Sequence, residues 1–328
     1  MDFDLTDDQK DIKRVAKELL AARSSFAKVR EAAEAGKYDD ALWQELRELG
    51  WPGIAVAEEH GGQGLGAVEL AVLLEELGYA CAATPYLSTA VAAAVIQSAG
   101  TPEQQARWLP ELASGESTAA IGTADLLADG VGAAVAVVID GSDAYLIEAP
   151  QAEALTTIDS TRRFATIEAT DGEALGAHAA ARIYAAIAAE VVGISQRALE
   201  MTLEYVKERK QFGVPVGSFQ AVSHRCAQML LHTESARSTA YYAAWAADAD
   251  PDRLAEGSAL AAAAAADGGR EVTASAIQAH GGIGFTWEAD VHWLYKRAQL
   301  DTAMLGGARR HREALARSAA DRVAASAR

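Results

Sequence analysis

The stretch Glu208-Arg-Lys-Gln-Phe-Gly-Val-Pro-Val-Gly-Ser-Phe-Gln220 decides how this chain is organised. A helical pattern runs up to Arg209. The segment 213–217 then breaks it, because glycine frees the backbone and proline removes a hydrogen-bond donor. Ser218 is the candidate N-cap of a second long helix, predicted over 219–247. We therefore expect a fixed turn between two long helices.

This turn presents Arg209, Gln211 and Gln220 together. A guanidinium and two amides beside a helix N-terminus suit a phosphate-rich ligand, because the positive charge and the free N–H groups both attract anions. The same residues also fit an ordinary helical hairpin whose polar groups face water. Both interpretations stay open on this stretch alone.

Length and composition limit the class of protein. A chain of 328 residues exceeds a single comfortable core, and its 50% apolar content with many alanines favours closely packed helices. The net charge of −17 argues against a nucleic-acid or anionic-membrane surface, so any phosphate ligand needs a local pocket. The acidic N-terminus and the lack of a long apolar run predict neither a secretory signal nor a membrane span.

The two cysteines, Cys81 and Cys226, lie outside any CxxC motif and fit a reducing, cytoplasmic setting as small core residues. His224 and His232 make a poor ligand set, so we expect no metal site. The segment Gly62-x-Gly64-x-Gly66 has neither the spacing nor the βαβ context of a dinucleotide fingerprint.

The periodicity predicts a mainly α protein with a small β domain. An N-terminal helical domain covers 1–115, with Thr6 and Thr101 as helix caps, and short β-branched runs predict a reduced β domain over 116–172. Residues 173–328 read as a C-terminal four-helix bundle. Its long helices are predicted near 174–209, 219–248, 252–281 and 288–317.

The connection Gln278-Ala-His-Gly-Gly-Ile-Gly-Phe-Thr286 is the second segment of interest. Gly281 and Gly282 end a helix and permit close approach of the backbone to a ligand. A plain helix end followed by a turn is the alternative.

Five motifs in chain order resemble those of the acyl-CoA dehydrogenase family, and the resemblance runs from end to end. They are Asp2-Phe-x-Leu-Thr-x-x-Gln9, the glycine loop from Pro52 to Gly64, the helix start from Thr101 to Trp108, Arg209-x-Gln-Phe-Gly-x-Pro215 and Gln278-x-x-Gly-Gly-x-Gly-Phe285. The resemblance implies a helical domain, a β domain and a helical bundle. It also implies FAD bound across a subunit interface, and oxidation of an acyl-CoA thioester to the α,β-enoyl-CoA.

In that family the arginine of the fourth motif contacts the FAD diphosphate of a neighbouring subunit, and the Gln-x-x-Gly-Gly segment closes around the adenosine side. Carried across, the resemblance implies FAD contacts at Arg209, Gln211, Phe212, Gln220, Gln278, Gly281 and Gly282.

The expected catalytic carboxylate is missing. The family keeps a glutamate before a glycine in the segment after the Gly-Gly motif, and here Leu305 stands at that position. Some members place the base on the first bundle helix, but 179–187 also lacks an acid. Asp301 and Glu190 are weak substitutes, because a shift of a helical turn points a side chain elsewhere. The β region also lacks the family's Thr-Glu-Pro-x-x-Gly-Ser run.

These facts predict a non-catalytic subunit of a heterotetrameric acyl-CoA dehydrogenase, paired with a longer, base-bearing subunit and serving steroid or fatty acid degradation. An acyl-CoA substrate and an electron-transfer acceptor complete the expected partners. One alternative is a self-sufficient homotetramer with a relocated base, and another is a structural or regulatory relic that binds neither FAD nor CoA. In the favoured interpretation we expect Glu190 to pair with an arginine, and the segment 159–163 to tie the β region to the bundle.

Overall fold

A computed structural model describes residues 4–168 and 172–326, in which helices predominate over a mixed sheet of seven short strands and a separate two-stranded ribbon. Asp2 of the first family motif lies outside the described residues. Within the described ranges, every helix is too short or too polar to cross a membrane.

The first part of the chain is helical, as predicted. Its helices are α1 (Asp7–Arg23), α2 (Phe26–Ala35), α3 (Asp40–Glu48), α4 (Ala67–Tyr79), α5 (Tyr86–Ala99) and α6 (Pro102–Ser114). Thr6 caps α1 and Thr101 caps α6. Each threonine side chain accepts from the backbone N–H of the glutamine three residues later, and the side chain of that glutamine accepts from the backbone N–H of the threonine. The sequence reading missed α2, whose ten residues are too few for a clear period.

The sheet follows with short strands. They are β1 (Ala119–Thr123), β2 (Leu126–Ala128), β3 (Val135–Asp140), β4 (Asp143–Glu148), β5 (Ala152–Leu155), β6 (Phe164–Ile167) and β7 (Glu173–Ala174). Their order is β5-β6-β2-β1-β3-β4-β7, in which only the described β1–β3 pair is parallel. Alternate residues of β3 face different cores: Val135 and Val137 face the main core, and Ala136 and Val138 a smaller cluster.

Long helices return after the sheet: α7 (Ala179–Glu208), α8 (Gln220–Ala249), α9 (Leu254–His280), α10 (Val291–Met304) and α11 (Ala308–Ser326). The prediction of one helix over 288–317 is wrong. The chain breaks after Leu305 because Gly306 and Gly307 have φ values of 72° and 74°, a conformation that no α-helix uses. The predicted start at 174 is also wrong, since β7 occupies Glu173–Ala174 before α7 begins.

Close helix packing explains the abundance of small residues. A Cβ on Gly193 of α7 would lie 1.8 Å from the carbonyl oxygen of Glu75 on α4, so the two backbones touch there. Both cysteines are buried and unpaired, as expected of core residues. The alanine-rich composition thus allows α4 and α7 to approach at backbone distance.

Candidate functional site

The turn between α7 and α8 is a small ribbon exposed to solvent. Arg209 ends α7, and β8 (Lys210–Gln211) pairs with β9 (Val214–Pro215). The backbone oxygen of Arg209 accepts from the N–H of Val216 at 2.7 Å, which closes the ribbon against the helix end. Phe212 occupies the turn with φ of 53° and is 94% exposed. A bulky residue with positive φ and a bare side chain is a strained feature that folding alone does not explain.

The predicted N-cap role of Ser218 is wrong. Its hydroxyl donates to the carbonyl oxygen of Pro215 at 2.7 Å, because a short 3-10 turn over Val216–Ser218 precedes the helix. The helix α8 begins at Gln220 after Phe219, and within the described residues no side chain caps it. Among the described residues, the N–H groups of Gln220 and Ala221 donate to no acceptor, so this helix end could stabilise an anion.

The predicted cofactor residues of this ribbon have few competing partners among the residues that the structure describes. Arg209, Gln211 and Gln220 are all exposed. Among residues 4–168 and 172–326, the guanidinium of Arg209 forms no ion pair or hydrogen bond. The amide of Gln211 only donates to the neighbouring carbonyl oxygen of Lys210. A cation left unpaired on a strongly acidic chain fits the prediction of a local anion site.

The second predicted segment lies at the same end of the bundle. The ring of His280, the last residue of α9, stacks on Tyr205 one turn before the end of α7, with centroids 4.4 Å apart. Gln278 and Gly282 are exposed, and a Cβ built on Gly282 meets no atom within 4 Å. Gly281 has φ of 65°, which turns the chain out of the helix. The stacked pair therefore holds the two predicted cofactor segments close together.

A pocket of about 490 Å³ opens beside Gln278. Its wall includes the aromatic rings of Trp287, His292 and Tyr295, together with Lys296. The ammonium of Lys296 lies 4.1 Å from the centre of the Trp287 ring, a cation–π contact. The sequence reading missed this pocket, although the density of aromatic residues between 285 and 295 was a usable signal.

The position expected to carry the catalytic base is apolar and closed. Leu305 is 0% exposed and belongs to one continuous core with Ile183 and Ile187 of α7 and Val137 of β3. Its backbone oxygen lies 2.7 Å from Nε2 of His311 on α11. At this place the sheet and the bundle share a hydrophobic core.

Neighbouring contacts join α11 to the same junction. Arg310 donates to the carbonyl oxygen of Gly141, in the turn between β3 and β4, at 3.0 Å. The ring of His311 packs edge-on against Tyr184 of α7 at 5.0 Å. The segment after Leu305 is thus fixed to both the sheet and the first bundle helix.

The two substitute acids lie in the interior. Glu190 on α7 accepts from Arg162 at 2.9 Å, and Asp301 on α10 accepts from the same guanidinium at 2.5 Å. Both carboxylates are at most 3% exposed. The prediction that Glu190 pairs with an arginine is confirmed. Arg162 lies between β5 and β6, so the prediction that segment 159–163 ties the sheet to the bundle is also confirmed.

Within the described residues, no three His, Cys, Asp or Glu side chains are arranged to hold a metal ion. The arrangement is therefore an exposed cation with amides and an open glycine, next to a helix N-terminus. Such a set can bind a phosphate-bearing cofactor. The described residues bring no accessible carboxylate to the position of Leu305 for proton abstraction.

Two family models match this chain. The model described as acyl-CoA dehydrogenase, N-terminal domain, matches residues 6–116, and the model described as acyl-CoA dehydrogenase, C-terminal domain, matches residues 159–320. The matched ranges leave 117–158, most of the sheet, between them. This is the region where the sequence departs from the family motif.

Individual proteins give the same result. Acyl-CoA dehydrogenase IpdE2 of Mycobacterium tuberculosis is 35% identical over 295 residues, covering 88% of this chain and 89% of the relative. A structure of a steroid ACAD variant, Tcur3481-Tcur3483, superposes with a TM-score of 0.86 at 28% identity, covering 97% of this chain and 99% of the other. The ChsE4-ChsE5 complex of Mycobacterium tuberculosis superposes with a TM-score of 0.86 at 26% identity, covering 98% and 99%.

Proposed function

Because this chain belongs to the acyl-CoA dehydrogenase family of CH–CH oxidoreductases, we propose that it is a non-catalytic subunit that completes FAD binding across a heteromeric interface. Its partner is a longer acyl-CoA dehydrogenase subunit that supplies the base. The observation that carries the proposal is a contrast within one chain. Arg209 is exposed and has no partner among the described residues, while Leu305 is fully buried at the position expected for the base.

The residues present fit the adenosine diphosphate part of FAD. Arg209 offers a free guanidinium, the N-terminus of α8 has no side-chain cap among the described residues, and Gly282 leaves room for close approach. Gln211, Gln220 and Gln278 would complete the set. These groups would bind and orient the diphosphate, and Phe212 would cover part of the cofactor's exposed surface. When bound in the assembled enzyme, FAD would supply the hydride acceptor needed to oxidise the acyl-CoA.

Of the similar structures, Tcur3481-Tcur3483 is a steroid ACAD and ChsE4-ChsE5 is a complex, and both support a heteromeric enzyme for bulky substrates. We infer a CoA thioester of a steroid side chain or a similarly bulky acid as the substrate of the assembled enzyme. An electron-transfer acceptor would complete the reaction. In a heterotetramer of two pairs, each pair would share one FAD.

The self-sufficient alternative gains no support from the interior acids. A general base must come within hydrogen-bond distance of the proton that it removes. Asp301 is 0% exposed and Glu190 is 3% exposed, and both are held by Arg162. A substrate would have to enter the core to reach either one.

The test is the flavin content per chain, measured by visible absorbance on the full chain alone and after co-expression with a longer acyl-CoA dehydrogenase encoded beside it. We expect little flavin alone and about one flavin per pair. Arg209→Ala should remove flavin from the pair, whereas Arg309→Ala, an exposed arginine of α11, should not. One flavin per isolated chain that an acyl-CoA bleaches would establish the self-sufficient enzyme. A flavin content unaffected by Arg209→Ala would leave the relic as the better account.

A further inference from the structure

A cluster of five charged side chains is buried where the sheet meets the bundle. It consists of Arg162, Arg297, Asp159, Glu190 and Asp301, each at most 4% exposed. When all are ionised, two positive charges face three negative ones. An excess charge in the interior is costly, and one proton bound to a carboxylate removes it.

Two of the three carboxylates are well satisfied. Asp159 accepts from the backbone N–H of Thr161 at 2.9 Å and from Nε of Arg162 at 3.3 Å. Glu190 accepts from Arg162 at 2.9 Å through one oxygen, and its other oxygen lies 3.5 Å from Nη1 of Arg297. Ionised carboxylates are favoured in such surroundings because each oxygen faces a donor.

The third carboxylate is different. Oδ1 of Asp301 accepts from Nη2 of Arg162 at 2.5 Å. Its other oxygen, Oδ2, is buried and has no hydrogen-bond partner among the described residues. The excess charge of the cluster and the one unsatisfied carboxylate oxygen therefore coincide on the same side chain.

We propose that Asp301 is a buried proton-binding site, which holds a proton at neutral pH and releases it under alkaline conditions. The bound proton neutralises the junction between the sheet and the bundle. Its release leaves an uncompensated charge in the core and weakens that junction. This inference concerns the chain itself and does not depend on flavin binding.

The charged and titratable neighbours agree with this assignment. Burial and the Glu190 carboxylate raise the pKa of Asp301 to about 8, although Arg162 and Arg297 act to lower it. Asp159, the other acid of the cluster, faces the two arginines, and its pKa is lowered despite burial. Further titratable neighbours among the described residues are Cys81, whose pKa burial raises to about 11, Lys296, which faces Asp159, and Asp129, which faces Arg162 and whose pKa burial raises to about 6.

The direction of the effect on stability follows from proton linkage. The pKa of an aspartate in the unfolded chain is about 3.9, whereas the pKa of Asp301 in the folded chain is raised to about 8. Between these values the native state binds more protons than the unfolded state, so stability falls as the pH rises. Asp159 acts in the opposite sense and contributes only to loss of stability in stronger acid.

The experiment is urea unfolding of the full chain from about pH 5.5 to about pH 8.5. Asp301→Asn is a neutral mimic of the protonated form. Its urea midpoint should equal that of the wild type at the acid end of the range and exceed it at the alkaline end, because the midpoint of the variant should no longer fall as the pH rises. The matched control is Asp267→Asn, a partly exposed aspartate paired with Arg312, which should keep the wild-type slope. Equal destabilisation by Asp301→Asn at every pH would overturn the proposal.

A second measurement covers the case in which Asp301→Asn fails to fold. Infrared spectra of the wild-type chain near pH 7, above the value of about 6 to which burial raises the pKa of Asp129, should show the C=O band of a protonated carboxylic acid. This band should disappear as the pH passes about 8. Absence of that band near pH 7 would show that all three carboxylates of the cluster are ionised. Asp301 would then be no proton site.

Discussion

The backbone oxygen of Leu305 lies 2.7 Å from Nε2 of His311, and this contact fixes the segment in which the family resemblance predicts a catalytic base. Burial lowers the pKa of His311, so the ring is neutral and donates to that carbonyl. The ring also packs against Tyr184 of α7. The segment predicted to shape a reactive centre is therefore a well-packed part of the core.

Restoring the missing acid should therefore fail. Leu305→Glu places a carboxylate at a position that is 0% exposed among apolar neighbours, and should cost roughly 3 kcal/mol or more of unfolding free energy. Urea unfolding measures the loss. Leu305→Met keeps the volume and should cost less than about 1.5 kcal/mol. A stable Leu305→Glu chain that bleaches flavin with acyl-CoA would show instead that a substrate cleft exists here.

Alanine variants of two glycines after α9 should distinguish an effect on flavin binding from an effect on stability. A Cβ on Gly282 meets nothing within 4 Å, whereas one on Gly284 would lie 2.4 Å from the carbonyl oxygen of Ile277. Gly282→Ala should leave the free energy of unfolding within about 0.5 kcal/mol of the wild type and yet reduce flavin in the co-purified pair. Gly284→Ala should lower stability by about 1–3 kcal/mol through the clash. Full flavin content in the Gly282→Ala pair would remove this glycine from the proposed site.

Substitution of Phe212 should likewise affect flavin binding more than stability. Its φ of 53° is unfavourable for a bulky residue, and its 94% exposed ring contacts only Phe219 edge-on among the described aromatic rings. Phe212→Gly should change the stability of the isolated chain by no more than about 1 kcal/mol, because relief of backbone strain offsets the lost ring contact. The same variant should weaken the flavin-loaded pair, as measured by flavin retention on dilution. Phe219→Ala, which keeps the strained turn, separates the ring contact from the backbone effect.

Local signals predicted much of this fold, and tertiary packing explains the rest. Thr6 and Thr101 cap their helices because each cap uses residues only three positions apart, which a sequence displays directly. The break at Gly306 was missed because Leu305 and Ala308 continue an apolar period across it. Ser218 was misassigned because the 3-10 turn before α8 uses its hydroxyl in another bond.

Some features of the candidate site could likewise be predicted from the sequence, and others depend on tertiary structure. Arg209 and Gln278 could be named because they lie in motifs with family spacing. The Tyr205–His280 stack that brings their segments together joins residues 75 positions apart, which no local pattern reveals. The unsatisfied oxygen of Asp301 likewise depends on the position of Arg162, in a different part of the chain.

His292 should make the protein sensitive to acid. Its ring lies between Trp287, at 4.9 Å, and Trp293, at 4.3 Å, and among the described residues neither ring nitrogen has a hydrogen-bond partner. Burial, helped by Lys296 and Arg30, lowers the pKa of His292 to about 4. An unfolded histidine titrates near about 6.5, so between these values the unfolded state binds more protons and stability is lost as the pH falls.

His292→Phe removes this titration and should therefore reduce the acid slope of the urea midpoint between about pH 6.5 and about pH 4.5. The slope should shrink without vanishing, because burial also lowers the pKa of His280 and His311. The matched control is His224→Phe on α8, where the side chain is exposed and the wild-type slope should persist. An unchanged slope in His292→Phe would mean that the ring already carries a proton in the native state, so that the pocket beside Gln278 contains two cations, Lys296 and a charged His292.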